Sequence, residues 1–215
     1  MLFDITHSTH YRYAQPVELG AHRAMFRPRG SHDMRVLATS LEISSEPKDV
    51  RLIHDVYSTS VAIVSRDVLV RMTALIRCTM QYVPRISEGV QSPYQTLRSG
   101  SGTCRDFATL MIEAVRMLGY AARFVSGYLY TPALDSVDGA RHGAGATHAW
   151  LQVYLPGAGW LTFDPTNNLI GGTDLIRVGF ARHASSASPI TGNWHGFPGD
   201  FLGMDVDVQV SRRDA

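Results

Sequence analysis

Between Gly100 and Gly119 the chain passes from a glycine-rich turn straight into a one-sided helix, and this stretch limits the fold more than any other. Phe107, Leu110, Met111, Ala114, Val115 and Leu118 recur at i, i+3, i+4, i+7, i+8 and i+11, the spacing of a helix with one buried face. Gly119 follows as a stop signal. The periodicity predicts a helix over 105–118 that must lie against an apolar surface. Three strand candidates follow it: Ala122–Tyr130, Ala146–Leu155 and Trp160–Asp164, the last two joined by the turn Pro156-Gly157-Ala158-Gly159. Helix first and strands in succession argue for an α+β fold, a helix on an antiparallel sheet, over alternating βαβ units. The polar, glycine-containing insert 132–145 is expected to be an exposed loop.

The first 64 residues follow a different period. Phe3, Ile5, Tyr11 and Tyr13 alternate in step, Leu37, Leu41 and Ile43 share a parity, and Ser60–Val64 is β-branched and apolar. Turn residues separate these runs at Gln15-Pro16, at 27–30 and at 44–47. We therefore expect a β-rich N-terminal region over 1–64 and a second unit over 65–215. Ser65 is read as the cap of a helix over Arg66–Met80 whose buried face holds Val68, Met72, Leu75, Ile76 and Thr79. Tyr82-Val83-Pro84 ends that run, and Ser92-Pro93 opens a short helix reaching Leu97. Met204–Val210 alternates as a final strand.

Composition narrows the functional classes. The chain has 215 residues, 45% hydrophobic and 18% charged, with formal net charge +1. That is a globular balance without a block of either sign, so nothing calls for nucleic acid or an anionic membrane. No apolar run approaches the roughly 18 residues of a membrane span, and MLFDITHSTHYRY lacks the parts of a signal peptide. A cytoplasmic location is the expectation. The two cysteines, Cys78 and Cys104, are then free thiols. Cys78, within ALIRCTM, is expected to be a small buried hydrophobe.

Cys104 stands apart because it begins the 105–118 helix. Free N–H groups and the positive dipole end there stabilise a thiolate and can also hold an oxyanion. His148 opens a predicted strand, which gives a general base a defined direction. Asp164 ends the neighbouring strand, where it can accept from the second ring nitrogen of His148 and set its tautomer. Each residue alone has an ordinary structural reading; the ordered set of three is what points to a catalytic triad. Three further residues are candidates for substrate contact: Asp106 after the nucleophile, Trp150 on the strand face of His148, and Tyr82 as a donor to an oxyanion. His142 is six residues before His148, and the pair has too few ligands for a metal site.

Cys-Arg-Asp-Phe at 104–107, Thr-His-Ala-Trp at 147–150 and Phe-Asp-Pro-Thr at 163–166, in this order, resemble the blocks of the bacterial transglutaminase-like proteins. The resemblance runs from about Met80 to Val210. It implies a papain-like core with Cys104 as nucleophile, His148 as base and Asp164 as orienting acid. Tyr11-Arg12-Tyr13, Pro16-Val17 and His22-Arg23 are similar to the β-rich region often attached to this core. That region is shorter here, and near Val64-Ser65 the pattern passes abruptly into the first core helix. The implied activity is acyl transfer on peptide or amide substrates through a thioester, with hydrolysis expected and no metal or cofactor required. The alternatives are protein-glutamine transglutaminase activity, a glycoprotein amidase, or a non-catalytic interaction module on the same fold. A peptide or protein substrate is the expected partner. An incomplete N-terminal sheet would also leave an edge open to a second copy.

Overall fold

The computed structural model describes residues 2–24, 34–44, 66–85, 89–131, 146–155, 158–197 and 199–213. In chain order the elements are β1 (Leu2–Tyr13), β2 (Glu18–Ala24), α1 (Arg66–Thr79), β3 (Gln81–Tyr82), α2 (Pro93–Ser99), β4 (Ser101–Gly102) and α3 (Cys104–Met117). There follow β5 (Ala122–Leu129), β6 (His148–Leu155), β7 (Gly159–Asp164), β8 (Leu169–Ile170), β9 (Leu175–Ala181), a 3-10 turn at Ala184–Ala187, β10 (Ile190–His195) and β11 (Phe201–Arg213).

The predicted helix-on-sheet packing forms the core. The five-stranded sheet has the order β8-β7-β6-β5-β9, and each neighbouring pair is antiparallel. Phe107, Leu110, Met111 and Val115 of α3 pack with Phe124, Leu151, Val153 and Phe163 of the sheet. Each large side chain removed from water there contributes roughly 1.5–3 kcal/mol. Leu118 is outside this face, and Gly119 ends the helix with φ 89°. Strand β6 lies at the centre and is covered on both sides. Ala149, Leu151 and Val153 belong to the α3 cluster, while Trp150 packs with Val125, Leu129 and Leu175.

Helix α1 forms as expected but presents a different face. Leu69 is fully buried with Thr73 and Ile76, whereas Leu75 is 62% exposed and Val68 is exposed as well. Thr73 can sit in an apolar face because its hydroxyl donates to the Leu69 carbonyl at 2.8 Å. Two apolar stripes at helical spacing overlap on this helix, and packing against α3 and β7 selects one of them. Cys78 falls on the rejected side: it is an exposed free thiol, not the buried hydrophobe expected. Ser92 caps α2 through reciprocal bonds with Gln95, as Ser92-Pro93 foretold.

The N-terminal reading needs correction. Leu37, Leu41 and Ile43 are exposed and form no strand; among residues 34–44 only an isolated bridge at Met34 appears. β1 is the predicted strand, and it pairs antiparallel with β11 from Leu2↔Arg213 to Tyr13↔Phe201. β2, which no clear alternation marked, pairs with β10. The first strands are thus joined to the last, across the expected division into 1–64 and 65–215. Val208 of β11 is buried against Tyr128, Ile176 and Val178 of the core, with Phe3 and Ile5 of β1 alongside. Ser60–Val64, the Val64-Ser65 junction, the turn at 27–30 and the insert 132–145 with His142 lie outside the described residues. No described helix is long and apolar enough to cross a membrane.

Candidate active site

The site is built at the N-terminus of α3. A two-residue parallel pairing, Gln81↔Ser101 and Tyr82↔Gly102, holds the turn in front of it. Gly102 is required by space. A Cβ there would lie 2.9 Å from Asp106 Cβ and 3.3 Å from the Phe107 ring. Thr103 is the extended N-cap, and Cys104 is the first helical residue, 7% exposed.

Asp106, two residues after Cys104, is fully buried. Its Oδ2 accepts from Thr103 N–H at 2.8 Å and from the Thr103 hydroxyl at 2.9 Å. Its Oδ1 accepts from Gln91 N–H at 2.7 Å and from Arg85 Nη2 at 3.1 Å. Burial alone would raise this carboxyl; the four donors outweigh burial and hold it below its usual value. The carboxylate therefore ties the N-cap to Arg85 and Gln91. Its expected substrate contact is corrected: no face of it reaches solvent.

His148 and Asp164 come together as predicted. The β6–β7 pairing sets Leu151 opposite Phe163, bringing the start of one strand beside the end of the other. Both side chains are sealed from solvent, and His148 Nε2 donates to Asp164 Oδ2 at 2.8 Å. Burial would pull the imidazole down. The Asp164 carboxylate, with Cys104, outweighs it and pushes His148 up to about 10. Burial would likewise raise Asp164, but His148, the Asn167 amide and the Thr166 N–H hold it below its usual value. With Nε2 engaged, Nδ1 is the free position of the ring, and it has no hydrogen-bond partner. Cys104 is also among the groups that raise this imidazole.

Asn167 belongs to this site and was not singled out in the sequence. Its Nδ2 donates to Asp164 Oδ2 at 2.9 Å and lies 3.3 Å from His148 Nε2. Thr166 N–H donates to Asp164 Oδ1 at 2.9 Å. The Asp-Pro turn folds the next two residues back on the carboxylate, a local geometry that Asp164-Pro165-Thr166-Asn167 carries in its order.

The other two candidates part ways. Tyr82 is half-buried: its phenol is pushed up to about 12, first by burial and then by the electrostatic effect of Cys104. Trp150 is 0% exposed, its ring 5.9 Å from that of His148. A Cβ on Gly127 would lie 2.7 Å from the Trp150 ring and 2.1 Å from the Ile176 carbonyl oxygen, so Gly127 makes room for this indole. Trp150 is a core side chain behind the histidine. The expectation that it walls a cleft is corrected.

Residues 59–165 match the model of the transglutaminase-like superfamily, and residues 3–78 match that of the bacterial transglutaminase-like N-terminal region. The chain belongs to the transglutaminase-like superfamily: its core has the papain-like fold of that group, a helix on an antiparallel sheet, and it carries the bacterial N-terminal region. The uncharacterized Mycobacterium leprae protein ML0607 is 33% identical over 68% of this chain and 50% of its own length. The uncharacterized Mycobacterium tuberculosis protein Rv2569c is 39% identical over 60% of this chain and 42% of its own. The chain thus spans half or less of the length of these relatives. A crystal structure of a candidate cysteine protease from Cytophaga hutchinsonii superposes with a TM-score of 0.49 and 26% identity, over 68% of this chain and 46% of that one.

Proposed function

We propose that this chain is a cysteine hydrolase acting on peptide or amide bonds, with Cys104 as nucleophile, His148 as base and Asp164 as orienting acid. One observation carries the reading: a buried His–Asp pair leaves a single imidazole nitrogen free, and a cysteine at a helix N-terminus is among the groups that raise that ring. Buried imidazole–carboxylate pairs also occur as structural features, but those do not require a thiol at a helix start.

In the proposed cycle, Nδ1 of His148 already holds the Cys104 proton as a thiolate–imidazolium pair, and the sulfur adds to the carbonyl carbon. Unpaired N–H groups of the first helical turn receive the oxyanion. The C–N bond breaks as Nδ1 returns the proton to the leaving amine, which gives a thioester. Water then donates a proton to Nδ1 and adds to the acyl carbon; the C–S bond breaks and the acid leaves. Asp164 stays ionised and stabilises the imidazolium at each stage.

Alkylation tests the nucleophile. Near neutral pH, iodoacetamide should label Cys104 at least about tenfold faster than Cys78, and His148→Ala should remove the difference. Exposed Cys78 is an internal control, so faster labelling at Cys78 would reject the assignment. Incubating reactive acyl substrates with and without an amine then separates the outcomes: acid as the main product supports a hydrolase, and amide supports a transglutaminase.

A further inference from the structure

A pocket of about 290 Å³ runs along one flank of α3 from Arg105, the residue after Cys104. Its lining includes Arg105, Thr109 and Glu113 of α3, and Arg182 and His183 after β9. The balance of charge in it is uneven. Glu113 is already engaged, by Arg116 Nη1 at 2.7 Å. Among the described residues, neither Arg105 nor Arg182 has a carboxylate partner. The Thr109 hydroxyl, shielded from solvent, also has no hydrogen-bond partner. Two guanidiniums lining one pocket repel each other unless an anion lies between them, and a guanidinium fork matches a carboxylate. The Arg182 main chain is held in place, because its carbonyl accepts from Arg116 Nη2 at 2.7 Å.

We propose that this pocket seats an acidic side chain of the substrate. The proposal rests on Cys104 being the nucleophile and adds a specificity to it. Arg105 directly follows Cys104, and Thr109 lies about 7.5 Å further along the helix at 1.5 Å per residue. An extended peptide covers about 3.3 Å per residue. The acidic residue therefore sits about two to three positions from the carbonyl under attack. A solvated arginine pair with no ligand is the plainer account, and it predicts no charge preference.

Iodoacetyl-capped peptides carrying Glu or Gln, second or third from the cap, distinguish the two accounts. At one of these positions the Glu peptide should alkylate Cys104 about 5–10-fold faster than its Gln twin, the scale of one charge-assisted hydrogen bond. Arg182→Gln should bring the ratio to about 1, and Arg182→Glu should favour Gln, through loss and reversal of that same pairing. The Arg182 side chain is exposed and only its main chain is bonded to the fold, so both variants should react normally with plain iodoacetamide. Equal rates for Glu and Gln at both positions, or a preference that survives both variants, overturns the pocket while leaving the nucleophile in place. An inert Cys104 toward plain iodoacetamide overturns the nucleophile reading and the pocket with it.

Discussion

At the scale of single residues, the burial of His148 and Asp164 decides how the site responds to pH. His148 is raised to about 10, so its share of stability is complete below the unfolded value near 6.5 and is lost as pH climbs toward 10. Asp164 is lowered, so its share is complete above the unfolded value near 3.9 and is lost as pH falls further. Asp164→Asn should accordingly destabilise most between about pH 4 and 6.5, with the gap to wild type closing at higher pH. Thermal melts of the two proteins across that range measure it; a gap that widens above pH 7 would contradict the assigned ion pair. The same variant should slow acylation by roughly 10²–10⁴-fold at neutral pH. The triad was legible in the sequence because each member sits at an end of an element that periodicity marks. Asn167 was not, because an amide in a turn acquires its meaning only when the turn folds back on Asp164.

At the scale of elements, the start of α3 is set by a residue that was expected to face substrate. Asp106 receives four hydrogen bonds from three residues and is itself fully buried. Asp106→Ala would leave the Thr103 and Gln91 N–H groups and the Arg85 guanidinium without their acceptor. The expected cost is about 3–5 kcal/mol, the scale for removing one side of a buried charge pair. Denaturant unfolding measures it, and a loss under 1 kcal/mol would mean that solvent reaches these donors. Helix α1 shows why such roles are hard to read ahead. Its period was correct, but the expected face of Val68, Met72, Leu75, Ile76 and Thr79 and the buried set of Leu69, Thr73 and Ile76 share only Ile76. Only the hydroxyl's bond to the Leu69 carbonyl makes that face apolar enough to pack.

At the scale of the whole molecule, the first strand is held by the last. Val208 lies 44 residues beyond Asp164 in the chain, yet it is buried against Tyr128 of β5 and Ile176 and Val178 of β9. Val208→Ala should cost about 1–2.5 kcal/mol, and the loss should appear in one cooperative transition with the core. A separate low-temperature step, seen by calorimetry, would show instead that the β1–β11 ribbon melts by itself. The sequence alone determined the elements of the core and their order, because helical and strand periods are local properties that burial on one face writes into neighbouring positions. It also determined where Cys104, His148 and Asp164 stand, because their backbone positions follow from those elements. Tertiary structure alone decided what faces what. Strand β6 is covered on both sides, so Trp150 became core; the carboxylate of Asp106 turned inward; β1 found β11 at the far end of the chain. These pairings depend on contacts between segments far apart in sequence, and no local period records them.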